Sequence, residues 1–587
     1  MYPKSNIIIG GDFNHLNLDD LEIDFCLSTL NSPPTRGDAT LDLILTNRPD
    51  QILSTSCFAP TVQSDHQAIL MVPRQRMPPT RKRVQFVDYN FKGFQKLNDL
   101  LESITFDEVY SANHVDDAAA ILDTKIAKCV KEAFSTKTVT ISDRDPCWIT
   151  PKAKWLIKRK KALAKHSVAK AQLLDSKLLS IRRKYLQRLE SKQLWNLVDA
   201  ISHRKYLNNS NICFDAFDAD ILNSELAKRS SAEDHFIHIN PPFFDTQGHN
   251  PPQLTLLDVI NVMRSCKRTS SGPGDVPYFV IQEFWDLLAP VYHHVWNKSI
   301  QAGSFPKPYK LANLIPLPKK SNVNKSDDIR GISITPITSR LFERCVHKKW
   351  IQTNIQIIGD SYQFAYKSKI STVDCLLTLQ HHILSLLDSL DIDGVHLVMV
   401  DFSKAFDKLN QQLAAKTFPK FIHSPFLCQW LYDFIINRHQ RLIWKGDTKP
   451  YLPIDLGCSQ GTVGGPAIFS IYTDDIQAKN NCAKVYKYSD DINILIPCRS
   501  LPTQQDRSVL QQEISHIEDQ ARKKQMTIND KKTKVIRFSL TGETSCPCKS
   551  TSYESVLSTN ILGITFDSNG RFATHGRNLL ATLKRTL

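Results

Sequence analysis

Three acids in strand-like surroundings carry the clearest chemical potential: Asp401, Asp490 and Asp491. The run His396-Leu397-Val398-Met399-Val400 is apolar and β-branched and follows the turn Asp391-Ile392-Asp393-Gly394, so it predicts a buried strand with Asp401 at its end. Two further runs, Lys484-Val485-Tyr486-Lys487-Tyr488 and Ile492-Asn493-Ile494-Leu495-Ile496, flank Ser489-Asp490-Asp491 and predict a hairpin with paired acids at its tip. Two like charges in a tight turn repel each other. A divalent cation relieves that repulsion, and oxygen-rich sites hold Mg²⁺ through one or two carboxylates plus substrate phosphates. Each feature alone also has a plainer explanation, because an Asp after a strand often caps the helix that follows and Asp is a common turn residue.

Two other pieces could handle a substrate. The loop Gly457-Cys458-Ser459-Gln460-Gly461-Thr462-Val463-Gly464-Gly465-Pro466 lies between the two acid sites; its glycines let backbone approach a substrate, and the Gln460 amide can orient a base or sugar. Upstream, Pro316-Leu317-Pro318-Lys319-Lys320 precedes Asp328-Ile329-Arg330-Gly331-Ile332-Ser333, where Arg330 offers a bidentate fork to phosphate oxygens. A second acid pair, in Tyr472-Thr473-Asp474-Asp475, is spelled much like the hairpin. It follows Pro466 and an apolar stretch, so it reads as the end of a helix.

These residues need elements to position them. From Leu254 onward helices and strands mix. The first seventy residues read as short strands, at Asn6-Ile7-Ile8-Ile9, Thr40-Leu41-Asp42-Leu43-Ile44-Leu45 and Ala68-Ile69-Leu70-Met71-Val72, followed by a Pro- and Arg-rich linker over 73–83. Residues 91–202 are mostly helical in pattern, whereas 208–252, with weak periodicity, read as a poorly ordered connection.

Hydrophobic residues make up 41% and charged residues 23%, a balance that predicts globular domains rather than wholesale disorder. No run approaches the ~18 apolar residues that a membrane span needs, and the first residues lack the order of a signal peptide, so an intracellular protein without membrane contact is expected. The fourteen cysteines are scattered, and Cys546-Pro547-Cys548 has no zinc-like spacing. Of the formal charge of +15, most lies in residues 151–210, which hold 16 Lys and Arg against Asp175, Glu190 and Asp199. Such a block favours a polyanion through counterion release, although a solvated helix or an import signal at Lys158-Arg159-Lys160-Lys161 explains it too.

In this order the pieces resemble the reverse transcriptases of non-LTR (LINE-type) retrotransposons, over roughly 254–566. Val400-Asp401-Phe402-Ser403-Lys404-Ala405-Phe406-Asp407 resembles the first palm motif, Gln460-Gly461-Thr462-Val463-Gly464-Gly465-Pro466 the template-positioning motif, and Tyr488-Ser489-Asp490-Asp491 the tyrosine-any-aspartate-aspartate box. Ile528-Asn529-Asp530-Lys531-Lys532-Thr533-Lys534 and Ile561-Leu562-Gly563-Ile564-Thr565-Phe566-Asp567 resemble the two motifs that follow. The resemblance implies an α+β right-hand polymerase with fingers, a palm built on an antiparallel sheet, and a partial thumb. It implies RNA-directed DNA synthesis by two Mg²⁺ ions, with Mn²⁺ able to substitute, on an RNA template, a DNA primer or target and dNTPs.

In that reading Asp401 and Asp490 ligate metal directly and Asp491 supports them. Lys319, Arg330, Phe402, Gln460 and Gly461 contact substrate, Phe406 is the steric gate against a 2′-hydroxyl, and Lys532 protonates pyrophosphate. The family has a proline where Gly331 follows Arg330, and the acid at Asp275 in Ser271-Gly272-Pro273-Gly274-Asp275 stands one place late; both bear on the fingers.

Gly11-Asp12-Phe13-Asn14 and Ser64-Asp65-His66 resemble the last motifs of the endonuclease/exonuclease/phosphatase family, which non-LTR elements carry ahead of the polymerase. There Asp12 and Asn14 would position water and phosphate, and Asp65 would orient His66. The expected organisation is a partial α/β-sandwich endonuclease remnant over 1–75, a helical basic linker over 76–253, the reverse transcriptase domain over 254–567 and a truncated thumb over 568–587. The endonuclease-like segment starts only shortly before Asp12, which leads to the expectation of an inactive endonuclease. The competing expectation for the whole is a catalytically silent nucleic-acid-binding relic; a group II intron maturase fits the N-terminus less well. A nuclear location follows from the family's priming on chromosomal DNA, and the sequence specifies no oligomeric state.

Overall fold

The protein is described here by a computed structural model covering residues 7–586 except 15, 17, 20–21, 23–26, 31–32, 60–63, 75–80, 143–144, 147, 165–166, 191–216, 232–238, 275, 320–322, 324, 445–446, 500–503 and 540–552. Lys320, Asp275, Cys546, Cys548, part of the expected 73–83 linker and residues 165–166 and 191–210 of the basic segment lie outside the described residues. The chain forms two compact units, residues 1–85 with 138–178 and residues 86–137 with 179–587.

In the smaller unit, strands β1 (Ile8–Asp12), β2 (Ser28–Thr29) and β3 (Asp42–Thr46) form a sheet with β3 in the centre. Separately, β4 (Ile52–Phe58) pairs antiparallel with β5 (Ala68–Pro73). The strands foreseen from the sequence are present, but few of their side chains are buried, Leu45 and Thr46 being the innermost. The basic segment starts as helix Pro151–Leu163, capped by Thr150, whose hydroxyl accepts from the Ala153 N–H at 3.2 Å.

The larger unit is built on strands β6 (Leu311–Pro318), β7 (Ile329–Ile334), β8 (Ile392–Val400), β9 (Arg438–Trp444), β10 (Lys484–Tyr488), β11 (Asp491–Arg499) and β12 (Lys534–Phe538). Its main helices are α1 (Val115–Ala133), α2 (Ala219–Lys228), α3 (Trp285–Gln301), α4 (Ile337–Val346), α5 (Thr372–Leu387) and α6 (Gly465–Tyr472). One sheet has the order β10-β11-β8-β12, followed by the short strand Glu554–Ser555. The ladders between β10, β11, β8 and β12 are antiparallel. Its period-two alternation sorts side chains to two cores. Val398, Val400, Ile492, Ile494, Val485 and Val535 face the helices α1, α3, α4 and α6, while Val395, Leu397, Tyr486, Leu495, Ile536 and Phe538 face α5. A sheet covered on both faces explains the near-continuous apolar reading of β8.

A second sheet contains β9, β6 and β7 in that order, with β6 parallel to β9 and antiparallel to β7. Helix α2 packs on it through Leu222 and Leu226, against Leu314, Leu442 and Trp444. Within the stretch 208–252, read from the sequence as poorly ordered, residues 219–228 are thus a packed helix. Two leucines four apart make one apolar stripe, and Asp218 caps the helix by accepting from the N–H groups of Asp220 (2.9 Å) and Ile221 (3.0 Å). The helical residues 91–133, expected in a linker, share the core of the larger unit, because the apolar face of α1, with Leu122 and Ile126, is buried among the same helices as α3. No described helix is long and apolar enough to cross a membrane.

Candidate active site

Tyr488 pairs with Asp491 across the β10–β11 ladder, so Ser489 and Asp490 form a two-residue turn. Ser489 takes a φ of 63°, the left-handed region that such hairpin turns require. Val400 pairs with Ile492, which sets Asp401 beside Asp491 at the end of the adjacent strand. The acid after β8 caps no helix. Its backbone is gripped instead by the loop before β12: the Asp401 N–H donates to the Thr533 hydroxyl (3.3 Å) and its carbonyl accepts from the Asn529 N–H (2.8 Å).

The three acids line one cleft of about 1090 Å³. Partial withdrawal from solvent, together with Asp490 and Asp401, pushes the Asp491 carboxyl up to about 6. The buried Oδ2 of Asp401 accepts no hydrogen bond, and the nearest cation is the Lys532 ammonium at 3.5 Å. A carboxylate oxygen without a hydrogen bond beside two further acids fits an all-oxygen divalent-cation site. Lys532 itself is largely exposed and sits over Asp401.

The rest of the cleft is made by the expected pieces and by some unexpected ones. Gln460 donates from Nε2 to Asp407 Oδ1 at 3.0 Å, which turns its amide oxygen away from that carboxylate. Gly461 has a φ of 118°, and a Cβ there would stand 2.3 Å from the Ser333 carbonyl oxygen; the close approach lets Ser333 N–H donate to the Gln460 carbonyl at 2.8 Å and ties the loop to β7. The Phe406 ring stacks on Phe469 at 4.4 Å. Phe402 is only 6% exposed, so its side chain belongs mainly to the core.

Arg330 projects from β7 and Lys319 follows β6, both on the cleft wall. Arg229, just past α2, joins them, donating to the Ile329 carbonyl at 2.9 Å. Burial and the nearby guanidinium groups of Arg229 and Arg330 lower the Lys319 pKa. Lys404 pairs with Asp327 at 3.2 Å. Gly331, at the position where the family has proline, lies so close to Leu314 that an added Cβ would be 2.7 Å from its Cδ1.

The acids at 474 and 475 are structural. They follow α6, as its Pro466 start suggested; Asp474 is buried and pairs with Lys420, and Asp475 pairs with Lys524 at 2.6 Å. Asp407, Arg229, Asn529 and Tyr366 also line the cleft and were not singled out from the sequence. Asp407 stood inside the quoted motif, and its spacing from Gln460 carried no signal. Glu343, buried on α4, accepts from the Val463 (2.7 Å) and Gly464 (3.1 Å) N–H groups and so holds the Gln460 loop from beneath.

In the smaller unit, His66 is oriented by Asp42, not Asp65: His66 Nδ1 lies 2.7 Å from Asp42 Oδ2, and Asp65 instead pairs with Arg36 at 2.7 Å. Asp65 and His66 lie in the bend before β5, where Asp65 turns to Arg36, whereas Asp42 on β3 reaches the ring. The bond to Asp42 raises the His66 pKa. Asp12 pairs with Asp42 across β1 and β3, and the Asn14 N–H donates to Asp12 at 3.1 Å. Asp12, Asp42 and His66 each bring a ligand atom within 4.8 Å of the others. Among the described residues Asp401, Asp490 and Asp491 share their cleft without coming that close together.

Antiparallel strands that deliver three acids to a cation-walled cleft fit the chemistry of metal-dependent phosphoryl or nucleotidyl transfer. Residues 317–566 match the family described as reverse transcriptase (RNA-dependent DNA polymerase). The chain is 26% identical over 211 residues to a probable RNA-directed DNA polymerase from transposon BS of Drosophila melanogaster, covering 34% of this chain and 23% of that protein. It is 23% identical over 256 residues to a retrovirus-related Pol polyprotein from type-1 retrotransposable element R1 of Bradysia coprophila, covering 43% of this chain and 25% of that one. Among solved structures, apo telomerase from Candida tropicalis truncated from its C-terminal domain aligns with 44% of this chain and 54% of that chain, at 12% identity and a TM-score of 0.31. Residues 317–566 thus match a reverse transcriptase domain, and the curated relatives are named as RNA-directed DNA polymerases or a Pol polyprotein of transposable elements. The chain spans about a quarter of the length of these curated relatives.

Proposed function

We propose that the chain is an RNA-directed DNA polymerase that extends a DNA primer on an RNA template from dNTPs. The observation that carries this is the meeting of Asp401, Asp490 and Asp491 in one cleft, with the buried Asp401 Oδ2 accepting no hydrogen bond. In this reading the sheet containing β8, β10, β11 and β12 is the palm, β6 and β7 with Lys319 and Arg330 belong to the fingers, and the residues after Asp567 begin a thumb.

Two Mg²⁺ ions, or Mn²⁺, held by Asp401 and Asp490 with Asp491 in support, would supply activation of the primer 3′-hydroxyl and neutralisation of the triphosphate. Arg330, Lys319 and Arg229 bind the triphosphate oxygens, Arg330 by its planar fork. Phe406, fixed by its stack on Phe469, lies under the sugar and excludes a 2′-hydroxyl. Gln460, oriented by Asp407, steadies the template base. Lys532 leaves Asp401 to give its proton to pyrophosphate, which departs as the new phosphodiester forms. The basic segment holds nucleic acid through its phosphates, and the protein acts in the nucleus.

For the smaller unit, the cluster of Asp12, Asp42 and His66 is consistent with descent from a phosphodiester-cleaving endonuclease. We propose that this chain itself does not nick DNA, because no glutamate joins the cluster among the described residues and the strand faces are little covered. Magnesium-dependent nicking of plasmid, lost in His66→Ala, would overturn that.

The polymerase reading is tested by primer extension on an RNA template with the purified full chain. Extension in Mg²⁺ that stops with EDTA and falls at least about a hundredfold in Asp401→Asn is expected. Equal, background-level extension by wild type and variant would make the chain a silent nucleic-acid-binding relic instead.

A further inference from the structure

The turn that carries Asp490 is short, bears two adjacent acids and faces a third, so it needs something to keep it in place. Residues 360–366 lie along the outer edge of β10 and bond to it in series. The Lys487 N–H donates to the Tyr362 carbonyl and the Phe364 N–H to the Lys487 carbonyl, both at 2.9 Å, and Gln363 bridges Lys487 in parallel register. Two residues nearer the tip, the Ser489 N–H donates to Gln363 Oε1 at 3.4 Å. At the tip the hydroxyls of Tyr366 and Ser489 are 2.5 Å apart.

Beneath this edge, Lys487 is fully buried. Its ammonium donates to the carbonyls of Thr473 (2.8 Å) and Asp474 (2.9 Å) and forms an ion pair with Asp360 Oδ2 at 2.8 Å. Tyr366 and Ser489 both occupy the left-handed region, with φ of 62° and 63°. Neither conformation is comfortable for a residue with a side chain. Two such backbones facing each other through their hydroxyls point to a built contact, and both residues line the cleft beside Asp490.

We propose that residues 360–366 clamp the catalytic hairpin and that Tyr366 is a positioning residue, acting through Ser489 on Asp490. This rests on the polymerase reading for its kinetic consequence, but the clamp itself does not. The tyrosine hydroxyl fixes the rotation of the turn, so Asp490 stays in the cleft against the repulsion of Asp401 and Asp491. Ser489 has a side chain short enough to accept that bond from within a two-residue turn.

Full-length Tyr366→Phe, Ser489→Gly, the double variant and Ser489→Asn test this. Glycine relaxes the backbone at 489 while deleting the hydroxyl, whereas asparagine tolerates the left-handed region and keeps an acceptor for Tyr366. Melting temperatures within a degree or two of wild type establish that each variant folds. In primer extension, Tyr366→Phe and Ser489→Gly should each lower kcat about tenfold with KM for dNTP unchanged. The double should lose no more than the worse single, and Ser489→Asn should recover most of what Ser489→Gly loses. Independently of activity, amide hydrogen exchange over 488–492 should quicken about tenfold in Tyr366→Phe.

Multiplying losses in the double variant, or wild-type kcat and exchange in Tyr366→Phe, would overturn the clamp. If exchange responds as expected while wild type extends no primer, the clamp stands and the polymerase reading fails.

Discussion

At the residue scale, the cleft is organised by repulsion and its relief. Asp491 is pushed up to about 6 because Asp490 and Asp401 stand near it in a site partly withdrawn from water. Arg229, Lys319 and Arg330 line the same cleft, and among the described residues none of them forms an ion pair with the three acids. Phe406 gives a direct test of specificity. Its ring is held against Phe469, so Phe406→Val should raise ribonucleotide relative to deoxyribonucleotide incorporation by an order of magnitude or more, read from single-nucleotide insertion kinetics. An unchanged ratio would remove Phe406 from the sugar site. The three acids were legible because strand-like runs bracket them and the order of the motifs is specific. Asp407, Arg229 and Asp42 were not, because each acts on a partner far away in sequence and local spelling carries no trace of such a pair.

At the element scale, the helices that frame the cleft depend on modest apolar contacts and caps. Helix α2 buries Leu222 completely against the second sheet and delivers Arg229 to the cleft wall. Leu222→Ala should destabilise the larger unit by about 2–5 kcal/mol, in the range for buried leucine truncation, and should weaken dNTP binding by displacing Arg229. Urea unfolding followed by fluorescence measures the first and KM the second. The Gln460 loop is the other sensitive element. Gly461→Ala forces a Cβ to within 2.3 Å of the Ser333 carbonyl at a positive φ, so loss of extension activity with retained secondary structure is expected. Strands β8, β10 and β11 could be read from their apolar and β-branched runs and the turns that bound them. Helix α2 was missed because its stripe is only two leucines long and Asn and Pro surround it.

At the scale of the whole molecule, stability should depend on pH through Asp123 on α1. Burial raises its carboxyl to about 7, against the hydrogen bonds from Tyr292 (3.1 Å) and Thr338 (3.3 Å), which favour the charged form. A carboxyl whose folded pKa exceeds its unfolded value near 3.8 stabilises the fold most at low pH, and that contribution is lost as pH rises from about 4 through 7. Asp123→Asn mimics the protonated form. It should therefore raise the melting temperature of the larger unit by a few degrees at pH 8, with the gap closing toward pH 5. A gap that widens on acidification would assign the opposite sign. The division into two compact units was only partly legible. A composition shift marks the end of the N-terminal strands, but the apolar face of α1 gives no sign, in sequence, of which core it joins.

In the proposed nucleotidyl-transfer site Asp490 takes part and the look-alike acid at 475 does not. RNA-templated primer extension by Asp490→Asn and Asp475→Asn, run beside wild type in Mg²⁺, separates the two most directly. Asp490→Asn should abolish extension, while Asp475→Asn, which removes an ion pair with the nearly buried Lys524 at residues that do not line the cleft, should extend within about twofold of wild type. Full activity in Asp490→Asn, or equal loss in both variants, would contradict that assignment.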